Sequence, residues 1–381
     1  MSNAESQVVV PPGRIAHIPA LDGIRGIALP GIILFHYTLF MRTATSPSWF
    51  NHVGSLVMCL QMFFVLSGAL ITSLLVSEHQ RTGTVSFKSF YNRRSRRLGP
   101  ALMVLLPLMI VVELCWTGNR ADSPLGIHPW FPVVMVAFFI GNWADYTHLG
   151  GLGWFGPAWS LGVEEQFYLT WPIVLVLCMR RGVRRVTLLV AMAGVLILSL
   201  GVAELLFRRY GYTRTYVATP TQFPCILLGC AVGYEITANP TGRVVQILRH
   251  RLVGLIGLVG VFVAAVEVSI HSHYILRGGY VPFGLFGAVL VGHCFVTTDR
   301  PWALTRVIGW KPFEISGKVS YEAYLIHVIV ISAMLQVFPH LGPYPAIAID
   351  SVIVALASCA IYYYVEQPIR RRGWRTYFAR A

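Results

Sequence analysis

The chain has 381 residues, of which 55% are hydrophobic and 12% charged, with a mean hydropathy of +0.63. A soluble domain carries about 25% charged residues, so this is not a water-facing surface, and its hydrophobicity excludes intrinsic disorder. Seven cysteines sit mostly inside apolar runs without a C-x-x-C pair; they exclude a disulfide scaffold and read as buried thiols. The net charge of +14 lies in short segments between apolar runs. That is the pattern of membrane-protein loops rather than of a nucleic-acid-binding face.

Residues 1–20 hold Pro11, Pro12 and Gly13 but no apolar signal core, and read as a polar cytoplasmic tail. Apolar runs follow at 22–40, 54–76, 98–116, 129–143, 157–179, 186–207, 220–238, 252–270, 280–297, 315–335 and 345–365. The run at 129–143 is short, contains Pro132 and precedes Gly150-Gly151-Leu152-Gly153. If it does not cross, 22 of the 30 Lys and Arg fall in inside segments and 6 in outside ones. If it does cross, Arg180–Arg185 and the Arg-rich C-terminus both move outside. The positive-inside rule therefore favours an all-α polytopic protein of about ten spans with both termini cytoplasmic. The segment near 129–143 is then re-entrant or surface-lying. The domain plan is a cytoplasmic tail over 1–20, one transmembrane domain over 21–368 and a basic cytoplasmic tail over 369–381.

Ionisable groups inside a bilayer are costly and mark functional sites. In Leu21-Asp22-Gly23-Ile24-Arg25-Gly26 and onward to His36, Arg25 and His36 stand eleven residues apart. Eleven residues make close to three helical turns, so the pair shares a face about 16 Å apart along the axis, with Pro30 bending the helix somewhat. Arginine suits phosphate and histidine suits proton transfer near neutral pH. Such a pair would match a long donor with an anionic head and a reactive tip. The competing readings are a snorkelling Arg25 and a hydrogen-bonded structural His36.

Next come Phe63-Phe64-Val65-Leu66-Ser67-Gly68, where helix packing competes with substrate contact, and the basic run Arg93-Arg94-Ser95-Arg96-Arg97. That run is either a solvated loop touching anionic lipid or a phosphate dock. In Trp159-Ser160-Leu161-Gly162-Val163-Glu164-Glu165-Gln166-Phe167-Tyr168, two adjacent carboxylates point roughly 100° apart. One is expected to pair with Arg or His, and the other to line an aqueous cavity. Ser320, Tyr324 and His327 follow i, i+4, i+7 spacing and form a polar stripe, which an interhelical hydrogen-bond stripe would also explain. His17 and Asp22 match an H-x4-D pattern ahead of the first span and are read as chance. His128, His148, His271 and His273 have no ligand spacing, so no metal is expected.

Taken together, these motifs resemble the integral-membrane acyltransferase family 3, whose members O-acylate bacterial glycans, peptidoglycan and macrolides. The resemblance runs from about Leu21 to about Pro368, with six motifs in family order. It implies a ten-helix fold in the bacterial cytoplasmic membrane. The implied donor is acyl-CoA, acetyl-CoA or another short acyl-CoA, used as a co-substrate with no permanently bound cofactor. By the same resemblance Arg25 holds donor phosphate, His36 is the essential histidine and Ser67 lies in the catalytic lining. Arg93, Arg94 and Arg97 mark the donor mouth. Glu164 or Glu165 belongs to the active-site network, and Tyr324 and His327 line the cavity. Asp22, Trp159, Ser160, Tyr168, Gln222 and Ser320 complete the expected substrate cavity. Gln222 stands where many members carry an arginine, so their charge pair is absent here.

The expected activity is transfer of a short acyl group to a hydroxyl of a sugar or glycosylated small-molecule acceptor. His36 acts as general base, tuned by a carboxylate such as Glu164, or passes through an acyl-histidine. The rival reading is a proton-coupled transporter or flippase of a glycan or lipid-linked substrate. The expected partners are the lipid bilayer, acyl-CoA and the acceptor, with no nucleic acid; homo-oligomerisation is left open. No fused extracytoplasmic esterase-like domain is expected.

Overall fold

Hydrocarbon offers backbone N–H and C=O groups no partners, so an apolar run that enters it must satisfy them within itself, as a helix. A computed structural model describes residues 17–40, 54–112, 130–146, 152–267, 275–374 and 377, and all regular structure among these is helical. The helices are α1 (Pro19–Phe40), α2 (Cys59–Thr82), α3 (Phe87–Val112), α4 (Trp130–Ala137), α5 (Trp159–Arg180), α6 (Arg185–Val217) and α7 (Thr219–Ala238). They continue as α8 (Arg243–Arg249), α9 (Arg251–Glu267), α10 (Tyr280–Val296), α11 (Ala303–Ile308) and α12 (Lys311–Lys318). The last are α13 (Ser320–Val337), α14 (Pro343–Ala360) and α15 (Gln367–Arg372).

Seven segments are long and apolar enough to cross a membrane: Pro19–Phe40, Ser55–Thr82, Phe87–Val112, Phe155–Arg180, Arg185–Val217, Ser320–Val337 and Pro343–Arg372. The pair Arg243–Arg249 and Arg251–Val266, bent by 77°, makes an eighth if it is one span. The expected count was about ten. α10 has only 17 residues, and α7 carries the buried polar Thr221, Gln222 and Glu235. Because α2, α6 and α10 surround α7, protein rather than lipid meets those groups. The polytopic all-α class stands; the count of ten does not follow from length and apolarity.

α4 has 8 residues, a rise of about 12 Å, far short of a bilayer. It buries Pro132, Val133 and Val136 and exposes Trp130 and Val134, and Phe138 just beyond it is exposed too. The chain then turns at Phe139, whose φ of 57° is unusual for a side-chain-bearing residue, into a 3-10 turn over Gly141–Tyr146. Polar bonds pin this turn. Asn142 donates to Thr219 Oγ1 at 2.7 Å, and Gln166 donates to the Phe139 carbonyl at 3.0 Å and to Asn142 Oδ1 at 2.9 Å.

The central packing is α2 against α7. Gly229 and Gly233 on α7 form a G-x-x-x-G stripe opposite Gly68 on α2. A Cβ on Gly229 would stand 2.1 Å from the Val65 carbonyl oxygen, and one on Gly68 2.1 Å from that of Ile226. Gly68 therefore serves packing, which frees the neighbouring Ser67 to face the other way. We predict that Gly229→Ala costs at least about 1–3 kcal/mol, seen as a lower melting temperature in detergent. Gly201→Ala on α6, whose added Cβ meets nothing within 4 Å, does not lower that temperature.

Candidate active site

Residues four apart on a helix stack on one face, and two such stripes meet here. α5 presents Ser160, Glu164 and Tyr168; α13 presents Ser320 and Tyr324. With Arg25 from α1, Ser67 from α2 and Arg94 and Arg97 from α3, they line a narrow cavity with about 70 Å³ of water-accessible space. Tyr321 and the apolar Leu60, Phe63, Leu98, Leu161 and Leu325 complete its walls.

The carboxylates divide. Glu165 takes a charge-assisted bond from Arg94 Nη2 at 3.3 Å, with both side chains largely buried. Glu164 faces the cavity. Its Oε1 accepts from Ser67 Oγ at 3.0 Å, and its Oε2 lies 3.1 Å from the Tyr168 hydroxyl, which is itself 2.7 Å from Ser67 Oγ. The Arg94 guanidinium lies 3.6 Å over the Tyr168 ring, a cation–π contact that fixes the phenol. Arg25 donates to Asp22 at 3.2 Å, and Asp22's other oxygen lies 2.9 Å from the half-exposed His17. The H-x4-D residues thus meet, outside the cavity lining. Arg97 forms no ion pair among the described residues and has Arg25, Arg94, Arg370 and Glu366 as charged neighbours. The lining therefore carries three guanidinium groups against one carboxylate, Glu164, an arrangement suited to an anion.

His36 lies further along α1 and is not in this lining. Its Nδ1 is 2.9 Å from the Ile32 carbonyl and 3.1 Å from His327 Nε2, the two rings sitting edge to face at 4.9 Å. His327 is fully buried, its Nδ1 2.6 Å from the Tyr324 carbonyl. Tyr324 connects this pair to the cavity. Its ring tilts against His327, and its hydroxyl lies 2.7 Å from Ser160 Oγ and 2.7 Å from the Pro157 carbonyl.

Several expectations change. Glu164 does not tune His36: its oxygens are engaged by Ser67 and Tyr168, and an imidazole holds the histidine instead. Gln222 does not line the cavity. It is fully buried, accepting from Gln61 at 2.8 Å and donating to the Tyr216 carbonyl. Trp159 packs against Phe64 and Tyr216, and Arg93 turns away to Glu78 at 3.2 Å. Asp22, Glu165 and His327 stand behind the lining rather than in it. Residues 128, 148, 271 and 273, set aside as metal ligands, lie outside the described residues. Tyr321 lines the cavity unforeseen because it falls off the Ser320–Tyr324–His327 stripe, and the contact between His36 and His327 carries no local signal.

Fold and cavity define a multi-pass, all-helical membrane protein built around a cation-rich polar chamber. The chain matches the family model described as "Acyltransferase domain" over residues 18–364, and it belongs to that acyltransferase family. It is 27% identical over 376 residues to O-acetyltransferase OatA of Staphylococcus aureus strain NCTC 8325, covering 95% of this chain and 58% of that protein. The match to OatA of S. aureus strain MRSA252 has the same identity and the same coverage. The chain thus spans under two thirds of the length of these relatives. No solved structure matches.

Removing one member of a buried ion pair strands the other, so Arg94→Met is expected to cost about 3–5 kcal/mol. Arg94→Met combined with Glu165→Met recovers part of that loss, read as melting temperature in detergent.

Proposed function

We propose that the protein is a membrane O-acyltransferase that moves a short acyl group from acyl-CoA to a hydroxyl of a sugar or glycosylated small-molecule acceptor. The observation that carries this reading is the cavity of Arg25, Arg94 and Arg97 abutting, through Tyr324, a paired and partly accessible histidine. Family membership and the names of the relatives support it. The guanidinium groups would bind the donor's phosphates, and Ser67, Glu164 and Tyr168 would flank the pantetheine arm with hydrogen-bonding groups suited to its amides.

Both Nδ1 atoms face a carbonyl oxygen, which only accepts, so each neutral imidazole carries its proton on Nδ1. His36 Nε2 then holds a bare lone pair. In the reaction it takes the proton of the acceptor hydroxyl as the oxygen attacks the thioester carbonyl. The C–O bond forms, the C–S bond breaks, and the departing thiolate takes the proton back from His36 Nε2. In this reading the Arg-rich loops and both termini face the cytoplasm of a bacterium, and the donor comes from that side.

His36→Ala is expected to abolish transfer of label from radioactive acetyl-CoA to base-labile ester in reconstituted vesicles, with insertion and folding retained. Transfer at the wild-type rate in that variant refutes the assignment, and movement of a glycan without acyl-CoA would instead indicate a transporter. Arg97→Gln is expected to raise the KM for acetyl-CoA about 10- to 100-fold with kcat little changed, and the effect shrinks at high salt.

A further inference from the structure

We infer that His327 is a positioning residue that does for His36 what a buried carboxylate does in other catalytic dyads, using a neutral imidazole acceptor. The inference rests on the reading of His36 as the base. The two residues are 291 positions apart, on α1 and α13, and meet at 3.1 Å between His36 Nδ1 and His327 Nε2. Their tautomers are set independently by two backbone carbonyls, those of Ile32 and Tyr324. His327 Nε2 is therefore an acceptor, and the Nδ1–H of His36 is shared between it and Ile32.

Three consequences follow from that sharing. The ring of His36 is held from one edge, so its Nε2 points away from α13. The wrong tautomer, with the proton on Nε2, would turn the lone pair of Nδ1 against both the lone pair of His327 Nε2 and the Ile32 carbonyl oxygen. When His36 accepts a proton at Nε2, the positive charge is met by two acceptors on Nδ1–H without a carboxylate in this apolar setting. Among the described residues no carboxylate lies within ion-pair distance of His36 or His327. The burial is asymmetric in the sense the role requires, with His327 fully enclosed and His36 partly exposed. Phe35 meets the His36 ring edge-on at 5.1 Å and Phe40 stacks at 6.4 Å, restricting its rotation.

Two measurements test this. In vesicles given radioactive acetyl-CoA and mixed hexosamine oligosaccharides, His327→Phe keeps the bulk and removes the acceptor. It is expected to lower kcat about 100-fold or more with the acetyl-CoA KM within about twofold. His327→Gln supplies an amide oxygen in its place and is expected to recover kcat to within about tenfold of wild type. Full activity in His327→Phe overturns the inference while leaving His36 as the base, and so does equal loss in the Phe and Gln variants with both folded. Independently of turnover, 15N spectra of histidine-labelled protein must show both imidazoles protonated on Nδ1. A proton on Nε2 of either ring overturns the inference. Correct tautomers in a wild-type protein that transfers no acetyl group would instead bring down the proposed activity alone.

Discussion

Hydrocarbon cannot solvate a charge, so each ionised side chain drawn into this helical assembly needs an internal partner or an aqueous pocket. That requirement organises the structure around α5. Glu165 is neutralised by Arg94, which is itself held flat on Tyr168. Glu164, one residue earlier and turned by roughly 100°, is met by Ser67 and Tyr168 instead. Asp22 answers Arg25, and Glu366 answers Arg370 at 2.8 Å. Once these pairs form, Arg97 is left without an ion pair among the described residues, facing a chamber that already holds two further guanidinium groups. The lining thus carries three guanidinium groups against the single carboxylate of Glu164, an arrangement suited to an anion.

The chamber exists because the surrounding helices are spaced by different means. α2 and α7 touch backbone to backbone through Gly68, Gly229 and Gly233, which turns Ser67 toward the cavity. α1 approaches α12 just as closely, since a Cβ on Gly26 would lie 1.9 Å from the Phe313 carbonyl oxygen. The short α4 segment, clamped by Asn142, Gln166 and Thr219, braces the far side of α5. Tight packing behind the stripes and polar groups in front of them leave a gap between α5 and α13 rather than a closed core.

Much of this was legible in the chain. The spacing of Ser160, Glu164 and Tyr168 assigns them to one face, and adjacent carboxylates in an apolar run must diverge, as Glu164 and Glu165 do. The positive-inside imbalance gave 129–143 as a segment that does not cross, and α4 is too short to span. What the chain conceals is partner choice across long separations. Whether His36 faces a carboxylate or an imidazole depends on how α1 and α13 register, which no local pattern encodes. Gln222 was misplaced because its position was assigned from a family pattern, whereas its amide is complementary to Gln61 and a backbone carbonyl. α7, counted as a span from its run at 220–238, is not among the segments that length and apolarity single out, because hydropathy records composition and not enclosure by neighbouring helices.

In the proposed reaction the cation-rich chamber delivers a thioester to His36 Nε2. A structure of the protein bound to a non-hydrolysable acetyl-CoA analogue tests it most directly. The phosphates are expected against Arg25 and Arg97, with the carbonyl carbon close enough to His36 Nε2 for a hydroxyl between them to contact both at about 3–3.5 Å. Phosphates bound away from those arginines, or an acyl group that stops in the chamber with Tyr324 separating it from His36, would contradict it.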